Sequence, residues 1–158
     1  MTTQEKNAAA DDAGSQARRG WMSLLAKAPE DRLMALWAAY GDSPAFDWLR
    51  QPETGAVMVR GRMGGTGAPF NLGEMTVTRC SLALADGTVG HGYVQGRGRE
   101  RAQAAALIDA LMQTAAAGAL RQAVLDPLAE AMAEAREARA AKAAATKVDF
   151  FTLVRGED

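Results

Sequence analysis

Between Pro52 and Gly98 the chain stops reading as helix and begins to alternate. Val57 and Val59 are interleaved with Met58 and Arg60, the two-residue period of a strand. Residues 75–84 alternate again, anchored by Val77, Leu82 and Leu84. Asp86-Gly87 follows, a strong signal for a tight hairpin turn. Residues 88–95, with Val89, Tyr93 and Val94, then supply the partner strand. Within this region, Gly61-Arg62-Met63-Gly64-Gly65-Thr66-Gly67 carries four glycines in seven positions and must be a connection rather than an element interior. The pattern predicts an antiparallel sheet of three or four strands over about residues 55–96.

Helical periodicity flanks this region, so the expected fold class is α+β. Trp21, Met22, Leu24 and Leu25 recur at helical spacing. Pro29, followed by Glu30 and Asp31, marks the start of a second helix with Leu33, Met34, Leu36, Trp37 and Tyr40 on its apolar face. Gly41 and Asp42-Ser43-Pro44 end it. Helix resumes after Gly98, with Leu107, Ile108, Leu111 and Met112 as one face and an end near Gly118. A last helix is expected from about Ala119, carrying Leu120, Val124, Leu125, Leu128 and Met132 and either kinked or divided at Pro127. From there to Lys147 no large apolar side chain occurs. Alanine favours helix, but an alanine face buries little area. Residues 1–17 hold no large apolar side chain beyond Met1 and read as a disordered leader, leaving 18–158 as one domain. The tail Val148-Asp149-Phe150-Phe151-Thr152-Leu153-Val154-Arg155-Gly156 is apolar and needs a surface to cover it. It is expected to form either an edge strand of this sheet or an insertion into a partner, and Phe150, Phe151, Leu153, Val154 and Arg155 are the candidate interface residues.

Composition excludes several functional classes. A net charge of −1 excludes a globally basic nucleic-acid binder, and no apolar run is long enough to span a bilayer. One cysteine and one histidine exclude an internal disulfide and a self-contained Cys/His zinc site, and no metal is expected. The N-terminal residues lack a secretory signal, which with the lone cysteine points to the cytoplasm.

The chemistry-bearing candidates are few. Backbone N–H groups of Gly64, Gly65, Thr66 and Gly67, with the Arg62 guanidinium, suit an anion. The loop lacks the Lys-Ser/Thr pair of a P-loop, however, and a tight hairpin connection is the plainer reading. Gln95, Arg97, Arg99 and Arg101 gather at the start of the third helix, where cations oppose the helix dipole and so hint at a bound anion. With Arg60, Arg62 and Arg79 they make the middle of the chain locally basic. His91 has no neighbouring carboxylate or nucleophile, Cys80 reads as a small buried hydrophobe, and the three tryptophans read as packing anchors. No catalytic residue emerges, and a chain without a complete active site reads as a subunit. An autonomous anion- or nucleotide-binding module is the weakest alternative, because the loop lacks a phosphate-contacting lysine.

Several segments, taken in order, resemble the PhnG family. They are Trp21-Met22-Ser23, Arg62-Met63-Gly64-Gly65-Thr66-Gly67, Asp86-Gly87-Thr88-Val89-Gly90 leading to Val94-Gln95-Gly96-Arg97, Ala106-Leu107-Ile108-Asp109-Ala110-Leu111, and the apolar tail. The resemblance covers about residues 18–158. It implies a small subunit of the bacterial carbon–phosphorus lyase core, assembled with subunits H, I and J and associated with K and L, with no nucleic-acid or membrane partner. It implies that ATP and a phosphonate are substrates of the complex, with no cofactor bound by this chain. Methylphosphonate would be transferred to ribose C1 of ATP, displacing adenine, with the nucleosidase-like chemistry on subunit I. Iron–sulfur cleavage of the C–P bond would belong to subunit J, which suits a chain with one cysteine. The alternative is a purely structural subunit that touches no substrate.

Overall fold

In the computed structural model, which describes residues 3–147 (side chains from residue 14 on), helices flank and cover a three-stranded antiparallel sheet. The architecture is α+β. Helices α1 (Thr3–Lys27) and α2 (Glu30–Tyr40) come first. Strands β1 (Phe46–Arg62), β2 (Pro69–Leu84) and β3 (Val89–Gln95) follow in spatial order β1-β2-β3. Helix α3 (Arg99–Leu111), the short α4 (Ala117–Leu120), a π-helical turn (Arg121–Leu125) and α5 (Asp126–Ala145) complete the order. The interface tail with Phe150, Phe151, Leu153, Val154 and Arg155 lies outside the described residues.

The front of the chain folds as its punctuation indicates. Pro29 precedes the first turn of α2, whose acids Glu30 and Asp31 face the positive end of the helix dipole. Gly41 closes the helix in the left-handed conformation, donating its N–H to the Trp37 carbonyl. Helix α1 begins at Thr3, well ahead of Arg18, where the sequence reading placed the first ordered residue.

The sheet starts earlier than residue 55. Phe46 and Trp48 already pair with Leu84 and Leu82, and their rings meet edge to face at 4.9 Å. Pro52 does not interrupt β1, because the register slips between Arg50 and Glu53, where a residue without an N–H costs no ladder bond. Strand β3 pairs with β2 only over Val77–Ala83. Beyond Val77, β1 and β2 continue alone as a two-stranded ribbon to the pair Arg62↔Pro69.

Helix α3 lies on one face of the sheet, and its interior is almost wholly apolar and small. Ala102, Ala106 and Ala110 are fully buried beside Leu107 and Ile108. Gly90 and Gly92 alternate toward this helix, and a Cβ on either would fall 2.0 Å from the carbonyl oxygen of Ala106 or Ala102. Their glycines are therefore the slot into which α3 fits. Leu25, Leu33, Leu82, Val94, Leu120, Val124 and Leu128 complete the core, and Trp21, Trp37 and Trp48 pack against it.

The back of the chain departs from the expected boundaries. Helix α3 ends at Leu111 rather than near Gly118, and the last helical stretch begins at Ala117. Pro127 neither divides that stretch nor stands mid-helix in the hydrogen-bonding sense. It occupies the first turn of α5, and the π-helical turn just before it absorbs the missing amide. After Met132 the described residues of α5 are exposed along their whole length, as an alanine, Glu and Arg/Lys composition allows.

Candidate functional site: two loops, a buried clasp and an open sheet face

The glycine loop is the tip of the β1–β2 ribbon. Met63–Gly65 forms a 3₁₀ turn in which Gly64 (φ 60°) and Gly65 (φ 83°) adopt left-handed backbone that other residues resist. Gly67 donates its N–H to the Met63 carbonyl at 2.9 Å, and Arg62 Nη1 donates to the Gly67 carbonyl at 3.0 Å. Arg62 thus closes the loop on itself, and Thr66 lies exposed within it.

The second cationic group is at the far end of the ribbon. Gln95 pairs with Val77, eight residues along β2 from Pro69. At the rise of an extended strand that is about 26 Å. Arg62, Gly64, Gly65, Thr66 and Gly67 are therefore not brought together with Gln95, Arg97 and Arg99 within one chain. Arg97 and Arg99 are exposed. Arg101 is turned inward instead, donating Nη1 to the Ala28 carbonyl at 2.8 Å and Nη2 to the Gln95 carbonyl. Its charge ties the α1–α2 corner to the turn after β3.

Asp109 of α3 is fully buried and saturated. Arg18 grips it with Nε to Oδ1 at 3.1 Å and Nη2 to Oδ2 at 2.7 Å. The Trp21 indole N–H donates to Oδ1 at 2.9 Å, and the His91 backbone N–H donates to Oδ2 at 2.9 Å. Arg18 and Gln113 also donate to the Val89 carbonyl. One carboxylate thereby joins α1, β3 and α3, and with Arg18 and Gln113 it satisfies the His91 amide and the Val89 carbonyl on the free edge of β3.

Cys80 faces α3 and donates to the Ala102 carbonyl at 3.1 Å. Burial pushes its thiol up to about 11, against a smaller opposing effect of the Gly92 amide. The thiol should stay neutral and unreactive. Iodoacetamide at about pH 8 is expected to spare Cys80 in the folded chain and to alkylate it in urea; rapid labelling of the folded chain would contradict its burial. The unfolded thiol titrates first, near 9, so its share of stability is complete below that pH and falls as pH rises toward 11.

The opposite face of the sheet is open and polar. In one row across the strands Arg50 pairs with Ser81, and Ser81 with His91, with Ser81 Oγ 2.8 Å from His91 Nδ1. In the next row Glu53 pairs with Arg79, and Arg79 with Tyr93. The register slip around Pro52 carries Glu53 to the same face as Arg50. Glu53 lies between the two arginines, 3.8 Å from Arg50 and 3.7 Å from Arg79. A groove of about 390 Å³ runs along this face, walled by Met22 of α1. Arg79 contributes to the basic character evident in the sequence, but its convergence with Arg50, Ser81 and His91 depends on strand register. Among the described residues no cluster of His, Cys, Asp and Glu is arranged to hold a metal ion, and no helix is long and apolar enough to cross a membrane.

Comparison with known proteins gives a consistent picture. The family model described as phosphonate metabolism protein PhnG matches residues 16–156. A protein of Rhizobium meliloti (strain 1021), named alpha-D-ribose 1-methylphosphonate 5-triphosphate synthase subunit PhnG, is 49% identical over 148 residues, which is 94% of this chain and 95% of that protein.

Proposed function

This chain belongs to the PhnG family of phosphonate metabolism proteins, and we propose that it works as a non-autonomous subunit of a cytoplasmic synthase that joins methylphosphonate to the ribose of ATP. In that reaction a phosphonate oxygen forms a bond to ribose C1 while the C1–N9 bond to adenine breaks, and N9 takes up a proton. ATP and the phosphonate enter as substrates, and no resident cofactor is assigned to this chain. The observation that carries the reading is identity of 49% spread over nearly the whole of both chains. The structure supports a dependent role: an exposed ribbon and the part of α5 beyond Met132 extend from the core without packing against it. The proposed partners are subunits H, I and J in a core, with K and L associated and the bond-breaking chemistry on I.

A scaffold subunit that makes no substrate contact is the second reading. It is favoured by Arg62 and Arg101, two candidate anion ligands that bond to carbonyls of this chain. Co-expression with H, I and J, tagging one partner, tests the proposal. The chain is expected to co-purify, and its omission should abolish adenine release from ATP plus methylphosphonate once L is added. A chain left behind as a free monomer, or full adenine release without it, would overturn the subunit reading. Full assembly and turnover with Arg97 and Arg99 both changed to alanine would favour the scaffold role over substrate contact by those two.

A further inference from the structure

We infer that the open face of the sheet is an oxyanion-binding site in which Arg50 and Arg79 hold a phosphoryl or phosphonyl group. That the anion belongs to a substrate of the synthase rests on the proposed function; that this face binds such a group rests on its geometry. The two guanidiniums converge on one carboxylate, yet both separations from Glu53 exceed a hydrogen bond. Neither guanidinium donates a hydrogen bond among the described residues. Two half-exposed guanidiniums therefore pair with one carboxylate by charge alone and keep their hydrogen-bond donors open to solvent or a ligand. A tetrahedral oxyanion with two or three charged oxygens would give each guanidinium the short, bidentate contact that one distant carboxylate does not.

The neighbouring row adds a donor whichever way the proton lies. If Ser81 donates to His91 Nδ1, the imidazole keeps an N–H at Nε2. If Nδ1 donates to Ser81, the hydroxyl keeps its own hydrogen. One polar hydrogen remains unspent beside Arg50 in both cases. The charge sum of Arg50, Arg79 and Glu53 is positive, and Met22 of α1 lines the groove with the two arginines. Of the large exposed apolar side chains among the described residues, Met58, Met63, Phe70 and Leu72 lie on the ribbon and its tip and Leu49 lies in β1 next to Arg50, while Tyr93, in the Arg79 row, lines the groove itself.

The test is a titration of the full chain, alone and in whatever assembly it co-purifies with, using pyrophosphate, methylphosphonate and ATP as separate probes. Amide and side-chain NMR signals of Arg50, Arg79, Ser81 and His91 in the free chain should shift saturably, and the double variant Arg50→Gln/Arg79→Gln should bind about tenfold or more weakly. Isothermal titration of the assembly reads the same loss. Pyrophosphate and ATP binding without methylphosphonate binding would mark a polyphosphate site; the reverse would mark the phosphonate site. Both outcomes support the inference. No binding of any probe in either form, or undiminished binding by a double variant with a wild-type circular dichroism spectrum, overturns it. A double variant that falls out of the assembly while the free chain binds none of the probes would identify the face as a protein interface and also overturn it. A chain that binds the probes but joins no partner would leave the anion site standing and remove the proposed function.

Discussion

Replacing Gly92 with alanine is expected to destabilise the chain by about 3 kcal/mol or more, whereas Gly55→Ala should stay within about 0.5 kcal/mol of the parent. The difference comes from what each new methyl would meet. At Gly92 it would lie 2.0 Å from the Ala102 carbonyl oxygen and 2.9 Å from Cys80 Sγ; at Gly55 nothing is within 4 Å. The first obstacle is backbone, so no rotamer change relieves it. Helix α3 would have to retreat by more than an ångström, and behind it lie α2 and the start of the C-terminal helical stretch. Moving a buried helix against a close-packed neighbour strains the whole core. Truncating Ala102 to glycine would not restore stability, because the carbonyl remains. Urea denaturation of the three proteins decides the matter: equal midpoints for Gly92→Ala and Gly55→Ala would mean that α3 does not sit this close to β3.

That slot shows where sequence reading stops. Gly90 and Gly92 are visible as the neighbours of His91, but their function becomes evident only when a strand and a helix are laid together. Local signals carried well where the physics is local. Pro29 and Gly41 bracket α2, Asp86-Gly87 turns β2 into β3, and Gly98 precedes α3, because turns and helix ends depend on a few adjacent residues. Pro52 misled for the converse reason. Proline ordinarily ends a strand, and only the slipped register of an edge strand makes it harmless there. The alternation of Phe46 and Trp48 with polar Asp47 was the signal that could have extended β1 backward.

The candidate site was harder to read than the fold. The cations of the glycine loop and of the α3 start share a stretch of sequence, yet the extended ribbon separates them. Arg50, Ser81 and His91 share no motif, yet register aligns them in one row. In an antiparallel sheet the neighbours of a residue are set by turn lengths and bulges far along the chain, so a single slip at Pro52 decides whether Glu53 meets Arg50 and Arg79 or faces away. Family resemblance was legible for a different reason: it depends on the order of several short segments, which needs no knowledge of pairing.

The second large effect is expected at Asp109. Asp109→Ala should cost about 3 kcal/mol; the side chain reaches the open face only through the backbone amide of His91. Removing the carboxylate strands the Arg18 guanidinium, the Trp21 indole N–H and the His91 amide, all of which it accepts. The arginine is about a third exposed, so water recovers part of its loss. The indole and the strand amide are less able to recruit water beside a packed helix. Asp109→Asn should cost less, since one oxygen still accepts, but its new N–H₂ must face a donor on one side. A double-mutant cycle separates pair from cost: Arg18→Ala and Asp109→Ala together should be less destabilising than the two changes summed, by an amount on the order of 1–2 kcal/mol. Strict additivity would mean that Arg18 and Asp109 do not interact in solution. The cycle bears on function as well, because the same carboxylate fixes His91 in β3 and α1 against the sheet edge, and so sets the wall and floor of the open face. If that clasp positions the face, Asp109→Asn should weaken pyrophosphate binding while leaving Arg50 and Arg79 in place, a loss that a merely less stable but unaltered face would not produce.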